Sequence, residues 1–379
     1  MVPTLTDDLA RLIAFNSVSS RPLLDLAGWL SQRCEDVGCT VQRFNDPDQD
    51  GKCSLIATLG PAGTNGLVLT GHMDVVPTEG QPWNSDPFVL TERDGKLFGR
   101  GTADMKGFFA ATLAAMARIR PEEYRRELVL LWTHDEEVGC LGSAKLVRHL
   151  QGTGRPLPTA CLVGEPTDFQ ILRMHPGHVA IELVVEGQAA HSSRPDLGSN
   201  AIEGATRLVN IATQLARQLE KERDDIPEME RPWVAFNVAR IHGGTAVNIV
   251  PDSCTIDIGY RPLPGMDAES VFHRLIDALP DDLREKTRAR IVRLTPSLLT
   301  PDGTPLQGIL AQHACGEGCG SASFATDGSN LAKLGMHPLV FGPGSIEVAH
   351  QADEFVRHDA LAQAVDMLED VIRQRCCQE

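Results

Sequence analysis

Four short aliphatic runs, GLVLTGH at 66–72, ELVLLWT at 127–133, ACLVG at 160–164 and HPLVFG at 337–342, set the strongest limit on how this chain can fold. They are apolar at consecutive positions, which predicts strands buried on both faces, as in parallel sheets covered by helices. Such sheets bind ligands at the carboxyl ends of their strands. His72 and Asp74 follow the first run, and Asp135, Glu136 and Glu137 follow the second. Glu165 follows the third, His350 lies in the loop after the fourth, and Asp104 sits in a glycine-rich turn before a helix. Several strands are thus expected to deliver carboxylate or imidazole to one edge.

Around these runs, residues 4–15, 23–37, GFFAATLAAMARI and 357–374 have helical periodicity, and Asp94-Gly95 between two β-like runs predicts a hairpin. The pattern is α/β, with a mostly parallel sheet flanked by helices. Residues 178–294 read differently: strand, long helix from Asn200 to about Glu222, strands VAFNVARIHGG and CTIDIGYRP, a helix at 267–279 and a strand at 289–294. That order, β-α-β-β-α-β, is the ferredoxin-like α+β plan. A chain of 379 residues exceeds what one core of ~250–300 usually supports. The expected division is an α/β domain from 1–176 and 290–379, the one that carries the acids and histidines at the strand ends, with an inserted domain at 177–289.

A net charge of −16 argues against nucleic acid and anionic membrane as partners. No apolar run nears the ~18 residues of a membrane span, and MVPTLTDDLARL lacks the features of a secretory signal, so a cytoplasmic protein is expected. Ten cysteines scattered through a large chain are expected as reduced thiols. His313, Cys315 and Cys319 lie close together, but HACGEGCG lacks the second ligand pair of a structural zinc site.

Taken singly, an acid after a strand is a helix cap or a solvated loop residue. The combination is more telling. His72 and Asp74, two apart in an extended segment, share a side, so the Asp74 carboxylate is expected to fix the His72 tautomer. Adjacent glutamates after a buried strand need cationic compensation. Two histidines and three carboxylates without cysteine suit zinc, with cobalt or manganese as substitutes. Ions ~3.5–4 Å apart across a shared carboxylate would activate water, leaving hydrolysis to need a base and an oxyanion donor.

The stretches GHMDVVP, GRGTADMKG, THDEEVG, GEPT, AHSSRP, GGTAVNIVP, YRPLPG and GPGSIEVAHQADEF occur in that order between residues 71 and 355. On them the chain resembles the zinc aminoacylase/acetylornithine deacetylase family, which includes succinyl-diaminopimelate desuccinylase and bacterial glutamate carboxypeptidase. The resemblance implies a two-zinc aminopeptidase-like catalytic domain in which His72 binds one metal, His350 the other, and Asp104 bridges. Glu165 would complete the first site and Glu137 the second; Glu136 would be the general base and Asp74 would orient His72. His191 matches an oxyanion donor supplied by the partner subunit, and Asn248 and Arg261 match substrate-binding positions. It further implies a homodimer built through the inserted domain, which closes over a small N-acyl amino acid, and two zinc ions per subunit, with cobalt able to substitute.

GTADMKGFFA, GEPTDFQ…HPGH, RPLPGM and GPGSIEVAHQADEF are most similar to the acetylornithine deacetylases within that family. This implies cleavage of N-acetyl-L-ornithine to ornithine and acetate, as in arginine biosynthesis. The alternatives are acetylcitrulline, succinyl-diaminopimelate or a dipeptide as substrate, or a family member that binds ligand without turnover. A dinucleotide-binding oxidoreductase would need a glycine fingerprint after the first strand, which GHMDVVP is not. Pro176 stands where the deacetylases commonly have lysine. Asp327-Gly328 replaces a glutamate-containing segment, and Asp327 is expected to meet the substrate's distal ammonium. His134 stands where the family more often has a small residue; it would either perturb Glu136 or point away.

Overall fold

The computed structural model describes residues 4–378, which divide into two compact units. One runs to Met174 and takes up again at Thr300–Gly320 and from Thr326; the other comprises His175–Leu299 and Ser321–Ala325.

The first unit opens with α1 (Leu5–Ala14) and α2 (Leu24–Asp36), followed by β1 (Thr40–Asn45), β2 (Cys53–Leu59) and β3 (Leu67–His72). Thr4 starts α1 through a capping box, its hydroxyl accepting the Asp7 amide while the Asp7 carboxylate accepts the Thr4 amide. The hairpin strands β4 (Thr91–Arg93) and β5 (Lys96–Phe98) turn at Asp94 and Gly95, both at positive φ as a tight two-residue turn requires. Then come α3 (Lys106–Met116), β6 (Leu128–Thr133), α4 (Leu141–Thr153), β7 (Ala160–Val163) and β8 (Leu172–His175).

The second unit contains β9 (His178–Glu186), α5 (Ala201–Lys221), β10 (Ala235–Gly243), β11 (Ser253–Arg261), α6 (Ser270–Asp277), α7 (Asp281–Arg284), β12 (Thr287–Thr295) and the short β13 (Leu298–Leu299). The remaining elements are α8 (Pro305–Leu310), β14 (Gly320–Ser321), α9 (Gly328–Leu331), β15 (His337–Val340), β16 (Phe355–Arg357) and α10 (His358–Ile372).

The large sheet runs in the order β1-β2-β6-β3-β7-β15-β8. β6, β3, β7 and β15 are mutually parallel, as the four apolar runs predict, so their carboxyl ends share one edge. β1 and β2 extend it in antiparallel register, two strands the sequence reading lacked. β1, TVQRFN, is a polar edge strand with no fully buried position, so neither a run nor an alternation marks it. α3 is apolar on almost every side because it is buried, and at Gly164 a Cβ would meet the Phe108 ring at 2.1 Å. Only hydrogen at 164 lets the helix lie that close to the strand end where Glu165 begins.

In the second unit the sheet order is β10-β11-β9-β12, all antiparallel. Val179, Ile181, Leu183 and Val185 alternate inward along β9 and pack with Ala201, Ala205, Leu208, Ala212, Leu215 and Leu219 of α5. The helix expected at 267–279 ends at Asp277, with Pro280 before the separate turn α7. This is the ferredoxin-like plan expected for the segment.

Leu130, at the centre of β6, is fully buried, whereas Val247 is fully exposed. Leu130→Ala is expected to lower stability by about 2–5 kcal/mol. Val247→Ala should shift it by less than about 0.5 kcal/mol. Urea unfolding of both variants checks this, and an unmoved midpoint for Leu130→Ala would remove that strand from the stabilising core.

Candidate active site

At the shared edge, Asp104 stands between two imidazoles. One carboxylate oxygen lies 3.0 Å from His72 Nε2 and the other 3.1 Å from His350 Nε2. Glu137 approaches the same His350 nitrogen at 3.0 Å, and Glu165 lies 3.9 Å from His72 Nε2. Glu136, beside Glu137 at the end of β6, faces His72, Glu165 and Asp327. Seven of the residues read from the sequence (His72, Asp74, Asp104, Glu136, Glu137, Glu165 and His350) are thus gathered in the first unit. His72, Asp74, Asp104 and Glu165 are buried; the His350 side chain is about half exposed.

The tautomer of His72 is set differently from the expectation. Its Nδ1 donates to the backbone carbonyl of Asp74 at 2.9 Å, and the Asp74 carboxylate is 3.9 Å away. That carboxylate instead accepts the backbone amides of Glu136 and Glu137, at 3.1 and 3.3 Å, and the Ser19 hydroxyl at 2.7 Å. Asp74 therefore ties the end of β3 to the two glutamates at the end of β6. Lys52, which the sequence reading did not single out, adds a second tie: its Nζ reaches Asp135 Oδ1 at 2.7 Å and the Ser19 carbonyl at 2.6 Å. Asp135 is held at φ 52° directly before Glu136. His134 points away from Glu136, its ring lying 2.9 Å from Ser54 Oγ on one side and 2.9 Å from Asp46 on the other.

The Asp104 loop is held by Glu354, another residue missed in sequence although it lies inside GPGSIEVAHQADEF. Its fully buried carboxylate accepts the amides of Gly101, Ala103 and Asp104 and the Arg100 guanidinium at 2.7 Å. Arg100 in turn donates to Gln81, whose amide reaches the His350 carbonyl. One buried ion pair thus steadies both groups that flank the centre.

Asp327 is 1% exposed. One oxygen accepts from the Thr133 hydroxyl, the other has no hydrogen-bond partner, and the group lies with Glu136 and Cys140 within 4.8 Å. The Cys140 thiol donates to Glu136 Oε1 at 3.2 Å. His191, Asn248 and Arg261 belong to the second unit. There the backbone amide of Ser192 donates to the Asn248 carbonyl, so the exposed His191 and Asn248 stand in two adjoining loops, one before α5 and one between β10 and β11. His313 pairs with Asp370 at 2.8 Å.

Burial is the largest influence on each carboxyl at the centre. It drives Glu136 and Glu165 well above the ordinary carboxylate range and raises Glu137, and the neighbouring carboxylates add to this. Asp104 is driven down by hydrogen bonds from both imidazoles, which override its burial. His350 is raised to about 10 by its bonds to Asp104 and Glu137. Such a basin is short of positive charge. His72, Asp104 and Glu137 offer ligand atoms within 4.8 Å of one another, with Glu165 and His350 adjoining. Imidazole nitrogen and carboxylate oxygen without thiolate fit divalent cations of the zinc type.

Over residues 68–374 the chain matches the model of peptidase family M20/M25/M40. An acetylornithine deacetylase from Aliivibrio salmonicida is 35% identical over 395 residues, covering 99% of each chain. One from Proteus mirabilis is 33% identical, covering 100% of this chain and 98% of its own. In fold the chain is similar to an M20 family metallo-carboxypeptidase from Sulfolobus solfataricus, at a TM-score of 0.79 and 18% identity over 98% and 99% of the two chains. A dinuclear metal-binding peptidase of the M20 family from Bacillus subtilis matches at a TM-score of 0.68 and 13% identity, over 98% and 97%.

Replacing Glu354 by glutamine keeps its size, removes the charge opposite Arg100 and exchanges one of its two acceptor oxygens, each of which takes two donors, for a donor. Glu354→Gln is expected to weaken divalent-metal retention about 10–100-fold, read by competition with a chromophoric chelator. Unchanged affinity would mean that the Asp104 loop holds its geometry unaided.

Proposed function

We propose, from the premise that this chain belongs to peptidase family M20/M25/M40, that it is a two-metal hydrolase cleaving N-acetyl-L-ornithine to ornithine and acetate. The observation that carries the reading is the Asp104 carboxylate, each oxygen facing one imidazole, with the carboxyl of Glu136 alongside. The 33–35% identity to the two acetylornithine deacetylases over nearly full length supports the substrate.

In this reading His72, Asp104 and Glu165 would hold one ion and His350, Asp104 and Glu137 the other, with zinc the ion this donor set suits best and cobalt a substitute. Ions held there would supply Lewis acidity toward the acyl carbonyl and would acidify water. Glu136 takes a proton from the water as its oxygen bonds to the acyl carbon. The same carboxyl then gives that proton to the amine nitrogen as the C–N bond breaks, releasing acetate and ornithine. Burial, with the neighbouring carboxylates adding to it, raises the Glu136 carboxyl, the direction that favours its taking up a proton. The Cys140 thiol and the Asp74 carboxylate fix the side chain and backbone of this segment. We assign His191 to the developing oxyanion, and Asn248 and Arg261 to the substrate, the arginine being suited to its carboxylate. For Asp327, its buried place against Glu136 and Cys140 supports a part played through Glu136.

We also read the protein as a cytoplasmic homodimer, the inserted unit dimerising and covering substrate. All ten cysteines are free thiols, which suits a reducing compartment, and among the described residues no helix is long and apolar enough to cross a membrane. His191, Asn248 and Val247 stand exposed, which suits a contact with a partner subunit.

Amine release from acetylornithine, acetylcitrulline, acetylmethionine, succinyl-diaminopimelate and a glutamyl dipeptide tests the substrate. Acetylornithine is expected to be hydrolysed fastest, and chelation followed by zinc addition should abolish and restore turnover. Preference for another member would overturn the substrate assignment, and turnover that survives complete metal removal would overturn the mechanism. Glu136→Gln is expected to lower kcat by about 10²–10⁴-fold with little change in KM. A kcat within a few-fold of the native enzyme would remove Glu136 from the proton transfer.

A further inference from the structure

The face of the four-stranded sheet opposite α5 is laced with cross-strand ion pairs. Arg290 lies 2.7 Å from Glu182, Arg288 2.9 Å from Glu186, and Arg240 2.7 Å from Asp257. Two arginines depart from this pattern. Arg293 stands opposite Ala180, and Arg261 opposite Ala235. Two positions before Arg261 is Gly259, where an added Cβ would meet nothing nearer than the Val179 carbonyl at 3.9 Å. Among the described residues, neither arginine has a carboxylate at ion-pairing distance.

The register shift between Ile291 and Arg293 makes this arrangement. A strict alternation would put Arg288 and Arg290 on one face and Arg293 on the other; the bulge returns Arg293 to the face of the first two. His178, at the start of β9, shares that face with Ala180 and is paired with Thr295. Its pKa is pushed down to about 4, first by burial and then by Arg261 and Arg293, and Arg261 is itself lowered by burial and by Arg293. Two neighbouring, half-buried guanidinium groups without a counter-charge repel each other, and an anion between them would relieve this.

We propose that Arg261, Arg293 and His178 form an anion-binding site whose ligand is the α-carboxylate of the N-acyl amino acid, with Arg293 the second arm of a two-guanidinium clamp. The assignment of this anion rests on the deacylase reading above. A carboxylate has about four lone-pair sites and a guanidinium five N–H donors, so two arginines can take both oxygens. The neutral imidazole of His178 adds one N–H. Arg293 then sets the preference for a free carboxylate over an amide at that end of the substrate.

The test is calorimetric binding of N-acetyl-L-ornithine and its α-carboxamide to zinc-loaded enzyme carrying Glu136→Gln, which slows hydrolysis, with the ligand checked for cleavage after each titration. The acid is expected to bind at least about tenfold tighter than the amide. Adding Arg293→Met should remove about tenfold of acid affinity and leave amide affinity unchanged, and Arg293→Lys should restore part of the preference. Equal losses for acid and amide, no loss, or no binding of the acid by the parent protein would overturn the clamp. Turnover by the native enzyme is assayed in parallel. If it fails while the acid preference still depends on Arg293, the deacylase reading falls and the clamp stands.

Discussion

Six carboxyl groups, those of Asp74, Asp104, Glu136, Glu137, Glu165 and Asp327, are gathered around two imidazoles at one edge of the large sheet. Two unit charges ~4 Å apart repel by about 4 kcal/mol at an effective dielectric of 20, so such a group cannot all be ionised without cations among them. Much of the first unit is arranged to meet that constraint. Parallel strands bring the acids to one edge, a glycine lets α3 press against it, and buried cations stand behind it at Lys52 and Arg100.

Two buried carboxylates act on the backbone of the centre. Glu354 grips three successive parts of the loop that ends in Asp104, and Asp74 grips the amides of both glutamates. Side chains at the centre are therefore aimed in part by hydrogen bonds to the main chain that carries them. A different fate befalls Ser54, His134 and Asp46. They are linked like the members of a hydrolytic triad, yet all are fully buried, and Lys145 neutralises the acid. With no room for a substrate, this chain of hydrogen bonds ties β2 to the residue that leads into Glu136 and Glu137.

The fold was legible in the sequence wherever burial leaves a pattern. The consecutive apolar runs of β3, β6, β7 and β15 and the alternation of β9 carried the architecture, and the acids after those runs carried the site. β1 was not legible because a polar edge strand buries no face. Ser19, Lys52 and Glu354 were not legible for another reason: each acts across more than thirty residues on a backbone or side-chain partner, and no local spacing records that. Asp74 shows the limit of spacing directly. Two residues from His72 was the right neighbourhood, but its carbonyl bonds the ring and its carboxylate serves the next strand. Arg293 was hidden by the bulge, since strict alternation assigns it to the wrong face.

Asp104 turns one oxygen to His72 and the other to His350. On the proposed ligand assignment the two ions are thermodynamically linked through this one group. An ion taken up on one oxygen draws electron density from the other and makes it a poorer donor, while it also fixes the loop that a second ion would otherwise have to order. The two effects oppose each other, and their difference is a coupling free energy that each ion exerts equally on its partner. Occupancy of the pair, and hence the fraction of active enzyme at a given metal concentration, is then a property of the shared carboxylate and not of either position alone.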